Sequence, residues 1–95
     1  IIPTDFALMQ NYPNPFNPTT TISYAIPMTG MVDLRIYDVL GREVASLQQG
    51  LQDAGSYNLK WDASDLSSGF YVYRIMVTVE GQSKFAQAKK MILMK

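Results

Sequence analysis

The sequence predicts an all-β domain, an immunoglobulin-like antiparallel β-sandwich of about seven strands. Apolar and polar residues alternate in short runs along the 95 residues, which is the pattern of half-buried strands. The six glycines lie between those runs, where tight turns need residues that tolerate a positive φ. No segment keeps a helical periodicity long enough to indicate a helix. Short strands at this spacing are typical of a sandwich.

Seven alternating runs define the candidate strands. Pro27 ends the second run, because proline cannot donate a hydrogen bond to a β-ladder. Turns are predicted at Asp38 to Gly41 and at Glu80 to Gln82. In chain order the runs cover residues 6–8, 22–26, 32–36, 44–47, 57–61, 71–79 and 85–93. The core predicted from their inward faces comprises Ile22, Tyr24, Leu34, Ile36, Leu59, Trp61, Tyr71, Tyr73 and Ile75.

Length and composition indicate one globular domain over residues 1–95. Apolar residues are 47% and charged residues 17% of the chain, which is not the composition of a disordered segment. The chain begins at Ile1 without a methionine, so we expect a fragment of a longer protein. No apolar run approaches the roughly 20 residues of a membrane-spanning helix. We expect a monomer.

The charged and reactive residues exclude several classes of function. Eight basic and eight acidic residues cancel, so the net charge predicts no binding to nucleic acid and little attraction to an anionic membrane. The chain contains no cysteine and no histidine, which removes disulfides, thiolate and imidazole metal ligands, and a Ser-His-Asp triad. We therefore expect no enzymatic activity, no cofactor and no metal ion.

The segment Tyr12 to Pro18, which we call the Asn/Pro segment, holds three of the five prolines and two asparagines. Proline restricts its own φ and the residue before it, and asparagine favours turns. One interpretation is a stiff crossover between the first two strands, with Tyr12 and Phe16 closing one end of the sandwich. The other is a recognition surface for a partner, centred on Pro13, Asn14 and Pro15.

Two groups of residues have both a structural and a functional interpretation. Trp61, Tyr71 and Tyr73 could form a sugar-stacking platform, but they share strand faces with aliphatic residues, which favours core packing. The aspartates are scattered without the spacing of a calcium loop. Asp62 and Asp65 flank a turn, and are predicted to cap it.

The C-terminal segment from Lys89 to Lys95 is apolar on both faces near its end. A strand with one face in solvent should be polar on that face. One interpretation is a central strand, or a last strand that is partly covered. The other is a strand whose exposed apolar surface serves a partner. The residues concerned are Lys89, Lys90, Met91, Ile92, Leu93, Met94 and Lys95.

Four motifs in this order resemble the C-terminal sorting domain of proteins exported by the bacterial type IX (Por) secretion system. They are Pro13-Asn14-Pro15, the hairpin from Tyr37 to Val44 that contains Gly41 and Arg42, the strand start Gly69-Phe70-Tyr71, and Lys89-Lys90-Met91-Ile92. Trp61-Asp62 lies between the second and the third motif. The resemblance covers nearly the whole chain.

The resemblance implies an export signal on a secreted cargo protein. The outer-membrane secretion machinery is expected to recognise the domain, and a sortase-like peptidase to remove it from the cargo. The cargo would then be secreted, or attached to the surface of a Gram-negative bacterium, by way of the periplasm and the outer membrane.

A second resemblance leaves an alternative function open. The hairpin from Tyr37 to Val44, Trp61-Asp62 and the segment from Ser68 to Arg74 are also similar to the Ig-like domain of the flagellar hook-capping protein. That similarity implies a structural module without a sorting role. An adhesive or carbohydrate-binding module is the third alternative.

Overall fold

A computed structural model describes residues 2–95, and every regular element in that part of the chain is a β-strand. Seven strands follow one another along the chain, which confirms the predicted fold class. They are β1 (Ala7–Leu8), β2 (Thr19–Ile26), β3 (Gly30–Tyr37), β4 (Glu43–Gln52), β5 (Gly55–Asp62), β6 (Gly69–Val79) and β7 (Gln82–Leu93).

The strands form two sheets. One sheet has three strands in the order β1-β2-β5, and the other has four strands in the order β4-β3-β6-β7. All neighbouring strands are antiparallel. The chain changes sheet between β2 and β3, between β4 and β5, and again between β5 and β6, so both sheets contribute side chains to one core.

Eight of the nine predicted core residues are buried between the sheets. Tyr24 and Tyr73 are the largest of the fully buried side chains. Leu59 is the exception, because it lies on β5, at an edge of the smaller sheet, and is only partly buried against the core. Phe16, Met91 and Leu93 complete one end of the core.

The predicted turns form, but β2 to β7 all extend beyond the predicted runs, and β4 does so most. Gly41 has a φ of +83° and its N–H donates to the Asp38 carbonyl oxygen at 3.0 Å. Glu80 and Gly81 both have positive φ, as a two-residue type I′ hairpin requires. Strand β4 continues to Gln52, so Gly50 lies inside a strand and not in a turn as predicted. Two register shifts against β3 absorb the irregularity of this strand.

The last strand, β7, is an edge strand that pairs with β6 alone among the named strands. The interpretation of residues 85–93 as a central strand is therefore wrong, and that of a partly covered last strand is right. From Phe85 to Leu93 the register with β6 is unbroken. The C-terminal end of this edge is where residues 14–16 meet residues 92–94.

Candidate functional site

The end of β7 divides its side chains between the core and the surface. Met91 and Leu93 are fully buried, because alternate residues of a strand point to opposite faces and theirs is the inner face. Ile92 is partly exposed and Met94 is 58% exposed on the outer face. Of the apolar residues in the C-terminal motif, only these two are accessible to a partner.

Phe70 enlarges the exposed apolar surface beside β7. It pairs with Ile92 across the β6–β7 ladder, and its side chain is 49% exposed. The ammonium group of Lys90 lies 5.3 Å from the centroid of the Phe70 ring, a cation–π distance. Sequence analysis did not single out Phe70 as a site residue. The sequence does contain a sign of its position. Phe70 is adjacent to Tyr71, which was predicted to be buried, so Phe70 must lie on the opposite, outer face of the strand.

The free edge of β7 is closed at this end by the Asn/Pro segment. The backbone N–H of Phe16 donates to the Ile92 carbonyl oxygen, and the N–H of Met94 donates to the Phe16 carbonyl oxygen, both at 2.9 Å. The side-chain oxygen of Asn14 accepts a 2.9 Å hydrogen bond from the N–H of Ile92. Phe16 and Leu93 form a parallel bridge. We call Asn14–Phe16 and Ile92–Met94, together with Phe70 and Lys90 beside them, the terminal corner.

Buried hydrogen bonds hold the beginning of the Asn/Pro segment. The N–H of Asn11 donates to the Tyr73 hydroxyl at 2.8 Å, and that hydroxyl donates to the Met9 carbonyl oxygen at 2.7 Å. The Asn11 side chain donates to the Thr20 hydroxyl at 3.0 Å. Burial raises the pKa of Tyr73 to about 12, so its hydroxyl keeps the proton it donates. The segment therefore starts from a rigid anchor in the core.

Only one of the two aromatic residues predicted to close the sandwich does so. Phe16 is buried and its ring centroid lies 5.9 Å from that of Trp61. Tyr12 is 80% exposed, so its predicted burial is wrong. The reason is the alternation of neighbouring side chains, since Asn11 takes the inward position. Pro13, Asn14 and Pro15 are exposed around Tyr12.

The three lysines of the C-terminal motif have different surroundings. Lys90 is exposed over Phe70, whereas Lys89 is partly buried on the inner side. The N–H of Lys95 donates to the Ser68 hydroxyl at 3.0 Å, and its ammonium group donates to the Ser64 carbonyl oxygen. These bonds tie the end of the chain to the loop between β5 and β6. Lys90 is thus the cation that lies on the outer face beside Phe70.

The motif around Gly41 and Arg42 lies at the turn between β3 and β4. Asp38 organises this turn by accepting hydrogen bonds at 2.9 Å from the N–H groups of Leu40 and Arg42. The Arg42 side chain adds an ion pair with Asp38 at 2.8 Å. The hydrogen bond from the Arg42 N–H is the main reason that the pKa of Asp38 is below its ordinary value. This turn is at the same end of the larger sheet as the terminal corner, but strand β6 lies between β3 and β7.

The aromatic residues considered as a sugar platform are core residues. Trp61 and Tyr71 are each 7% exposed and their rings meet edge to face at 6.1 Å. Tyr73 is fully buried. The platform interpretation is therefore wrong for these three. Gly69 is the first residue of β6. The side chain of Asp62 accepts a hydrogen bond from the Ser64 N–H at 2.9 Å, which caps the turn after β5.

The terminal corner combines exposed apolar side chains with a free ammonium group. Phe70, Ile92 and Met94 supply the apolar surface, and Lys90 supplies the charge. Such a surface is suited to binding a protein partner. None of the described residues belongs to a helix that could cross a lipid bilayer.

Comparison with known proteins identifies relatives over almost the whole chain. A family model described as a secretion system C-terminal sorting domain matches residues 10–94. The crystal structure of dimeric latent PorU from Porphyromonas gingivalis superposes with a TM-score of 0.73 and 28% sequence identity. That match covers 98% of this chain and 10% of the PorU chain, so the chain spans about a tenth of the length of that protein. No curated protein sequence matches the chain significantly.

Proposed function

The chain belongs to the family of C-terminal sorting domains of the type IX secretion system, and from this premise we propose that the terminal corner is the surface that the outer-membrane secretion machinery recognises. Domains of this family are C-terminal secretion signals for that system, and the cargo they accompany is secreted or displayed on the cell surface. We propose which residues the secretion machinery recognises, and what happens to the cargo after export.

The observation that carries the proposal is the meeting of the two end motifs. Asn14 and Ile92 are 78 residues apart in the sequence, yet they share a hydrogen bond. One partner could therefore contact Pro13 to Pro15 and the outer face of β7 together. The partner would recognise the folded domain and not an extended peptide, because the hydrogen bonds between the two segments hold Lys90, Ile92 and Met94 in fixed positions.

The residues of the C-terminal motif divide into two roles under this proposal. Lys90, Ile92 and Met94, with Phe70 beside them, contact the partner. Met91 and Leu93 are buried, so they support the surface from the core and do not touch the partner. Lys95 fastens the end of the chain to Ser64 and Ser68. Lys89 contributes charge at the inner border of the edge.

The domain itself is proposed to have no catalytic role. Cleavage by a sortase-like peptidase would take place in the chain that precedes the sandwich, and would release the cargo for secretion or surface attachment. The terminal corner offers an ammonium group and apolar side chains, but no carboxylate or imidazole that could act as a general base.

A matched pair of double variants tests which surface is recognised. The domain is fused to a reporter with a periplasmic export signal and expressed in a host with a type IX system. Phe70→Ser with Met94→Ser should retain the reporter in the periplasm. Met31→Ser with Leu51→Ser is the control, because these residues are similarly exposed, at 51% and 67%, at the opposite end of the same sheet.

Each result has a defined meaning. Export of the control and retention of the corner variant support the proposal, provided that both variants fold. Equal export of both variants contradicts recognition at the corner. If the unaltered domain fails to direct export in such a host, the role of a structural module similar to the hook-capping domain becomes the better explanation.

A further inference from the structure

The formal charge of this neutral chain is unevenly distributed. The last 27 residues, from Gly69 to Lys95, contain five of the eight basic residues and only one of the eight acidic residues. This segment therefore carries a formal charge of +4, and the preceding 68 residues carry −4. The segment comprises β6 and β7, and β7 is the edge of the larger sheet. Positive charge is thus concentrated along one side of the molecule.

The basic residues of this hairpin are available to a partner. The ion pairs among residues 2–95 involve only Arg35 and Arg42 as cations. Arg74 is exposed on the outer face of β6, opposite Ala88 of β7 and opposite Arg35 of β3. Lys84 is exposed near the start of β7. A negatively charged group placed along β7 would meet these cations without competition from a carboxylate of the same hairpin strands.

The middle of the β7 edge has backbone groups that point away from β6. The N–H and C=O groups of Ile92 bond to Asn14 and Phe16, so they face the free side of the strand. The backbone groups of residues an even number of positions apart along a regular strand point to the same side. The register with β6 is unbroken from Phe85 to Leu93, so Ala86 and Ala88 also direct their backbone groups to the free side.

The free stretch of this edge is shaped to receive another strand. Ala86 and Ala88 are exposed and small, so no bulky side chain on the outer face obstructs a neighbour. A few residues further along, the same edge already holds an extended segment of this chain in parallel at Phe16. The other edge of the larger sheet, β4, is interrupted by two register shifts, which disfavour regular pairing.

We propose that the free edge of β7 at Ala86 and Ala88 binds an extended, acidic segment of a protein partner as an added β-strand. The free stretch stops before Lys90, whose carbonyl oxygen already accepts a hydrogen bond of 2.8 Å from the Gln10 side chain. Backbone hydrogen bonds to Ala86 and Ala88 supply the pairing, as in other cases of strand addition. Carboxylates of the partner on the outer face lie near Arg74 and Lys90. Apolar residues on its other face lie beside Phe85, which is partly buried and stacked on Phe6 at 5.4 Å.

Charge distinguishes this occupant from two others. A second copy of the chain would bring two hairpins of charge +4 together, and like charges at close range oppose binding. Each basic residue near an anionic membrane surface contributes only about 1 kcal/mol to the free energy of binding to that membrane. In the free stretch from Ala86 to Ala88 the exposed apolar side chains are two alanines, which add little membrane affinity.

Amide hydrogen exchange of the 95-residue chain tests the proposal with a defined probe. The probe is a capped eight-residue peptide of four glutamates alternating with four valines, and the comparison peptide has lysine in place of glutamate. At saturating acidic peptide, the amide exchange of Ala86 and Ala88 should slow by about tenfold or more, because new backbone hydrogen bonds protect them. The lysine peptide should leave both rates unchanged.

Two charge-reversal variants separate local charge from net charge. Arg74→Glu should weaken binding of the acidic peptide by about tenfold, because it places a carboxylate beside the added strand. This variant should still fold, because the new glutamate pairs with Arg35 across the β3–β6 ladder. Lys60→Glu on β5 makes the same change in net charge on the other sheet, and should leave the affinity within about twofold.

The outcomes decide the proposal without reference to export. Slowed exchange at Ala86 and Ala88 with the acidic peptide alone, and weaker binding by Arg74→Glu alone, support it. Failure of the acidic peptide to bind, equal binding of both peptides, or protection confined to another strand would overturn it. Binding to phosphatidylglycerol vesicles at physiological salt, in the absence of peptide binding, would assign the basic side to a membrane instead.

Discussion

The side-chain oxygen of Asn14 accepts a hydrogen bond of 2.9 Å from the backbone N–H of Ile92. This bond closes an edge strand that would otherwise leave its N–H open to solvent. It also fixes the exposed side chain of Ile92 relative to the Asn/Pro segment. The two motifs at the ends of the chain are therefore parts of one surface.

Replacement of Asn14 by alanine should loosen the terminal corner. Loss of one hydrogen bond at an exposed site should lower the free energy of unfolding by about 0.5–1.5 kcal/mol. Urea denaturation measures this loss, and hydrogen exchange should show faster exchange of the Ile92 amide. Asn17→Ala is the control, because the Asn17 side chain makes no hydrogen bond with residues 2–95. Unchanged exchange at Ile92 would mean that the hydrogen bond between Asn14 and Ile92 does not form in solution.

Trp61→Ala should be among the most destabilising single changes. Trp61 is 7% exposed and packs against Phe16 and Tyr71. Truncation of a large aromatic side chain in a core costs about 3–5 kcal/mol, a large part of the stability of a small domain. Chemical denaturation gives the value. A loss below about 1 kcal/mol would show that Trp61 is not a core residue.

Tyr73→Phe should reveal the anchor of the Asn/Pro segment. The change removes a hydroxyl that bonds the Asn11 N–H and the Met9 carbonyl oxygen, and the Asn11 N–H is left buried. An unsatisfied buried group costs about 1–3 kcal/mol. Tyr12→Phe provides the matched control, since Tyr12 is 80% exposed and should change stability by less than about 0.5 kcal/mol. Equal effects of the two changes would argue against the anchor.

Stability should fall at alkaline pH because of Tyr24 and Tyr73. Burial is the main cause that raises the pKa of each to about 12 in the folded chain. In the unfolded chain the pKa of tyrosine is about 10. A raised pKa means that the folded state favours the protonated form. The resulting stabilisation is complete below pH 10, and is lost as the pH rises through 12.

Urea denaturation as a function of pH checks this prediction. The urea concentration at the unfolding midpoint should be constant just below pH 10. It should decline between pH 10 and pH 12. The decline should be smaller in Tyr73→Phe, which keeps only Tyr24 as a buried hydroxyl. A midpoint that stays constant up to pH 12 would show that the two hydroxyls are accessible to water.

The sequence was sufficient to predict the strands because burial has a period of two in most of them. Ile22 and Tyr24, and Leu34 and Ile36, alternate with more exposed residues as the structure requires. Prediction failed where that local signal does not hold. Gly50 was placed in a turn, although it lies in the irregular edge strand β4. Tyr12 was placed inside, although Asn11 occupies the inward position through buried hydrogen bonds.

The terminal corner was predicted as two separate motifs, and its assembly was not. The contact between Asn14 and Ile92 depends on which strand lies at the edge of the larger sheet, and strand order is not a local property of the sequence. The charge separation was present in the sequence but was hidden by a net charge of zero. Strand order turns that separation into a basic side, because the hairpin of β6 and β7 ends the sheet.

Export of a reporter is the most direct measurement of the central claim, that this domain is a signal read at its C-terminal end. The reporter carries a periplasmic export signal and the domain at its C-terminus, and its fraction outside the outer membrane is measured in a type IX-competent host. Lys89 and Lys90 are changed together to glutamine, and Lys60 and Lys84 together form the matched control. Substitution of an exposed lysine shifts stability by less than about 0.5 kcal/mol. Three of the four lysines are exposed and Lys89 is only partly buried, so both variants should fold.

The account predicts export of the unaltered domain and of the Lys60 and Lys84 variant, and periplasmic retention of the Lys89 and Lys90 variant. Normal export of a folded Lys89 and Lys90 variant would contradict the recognition of these lysines. Retention of the unaltered domain would contradict the sorting function itself.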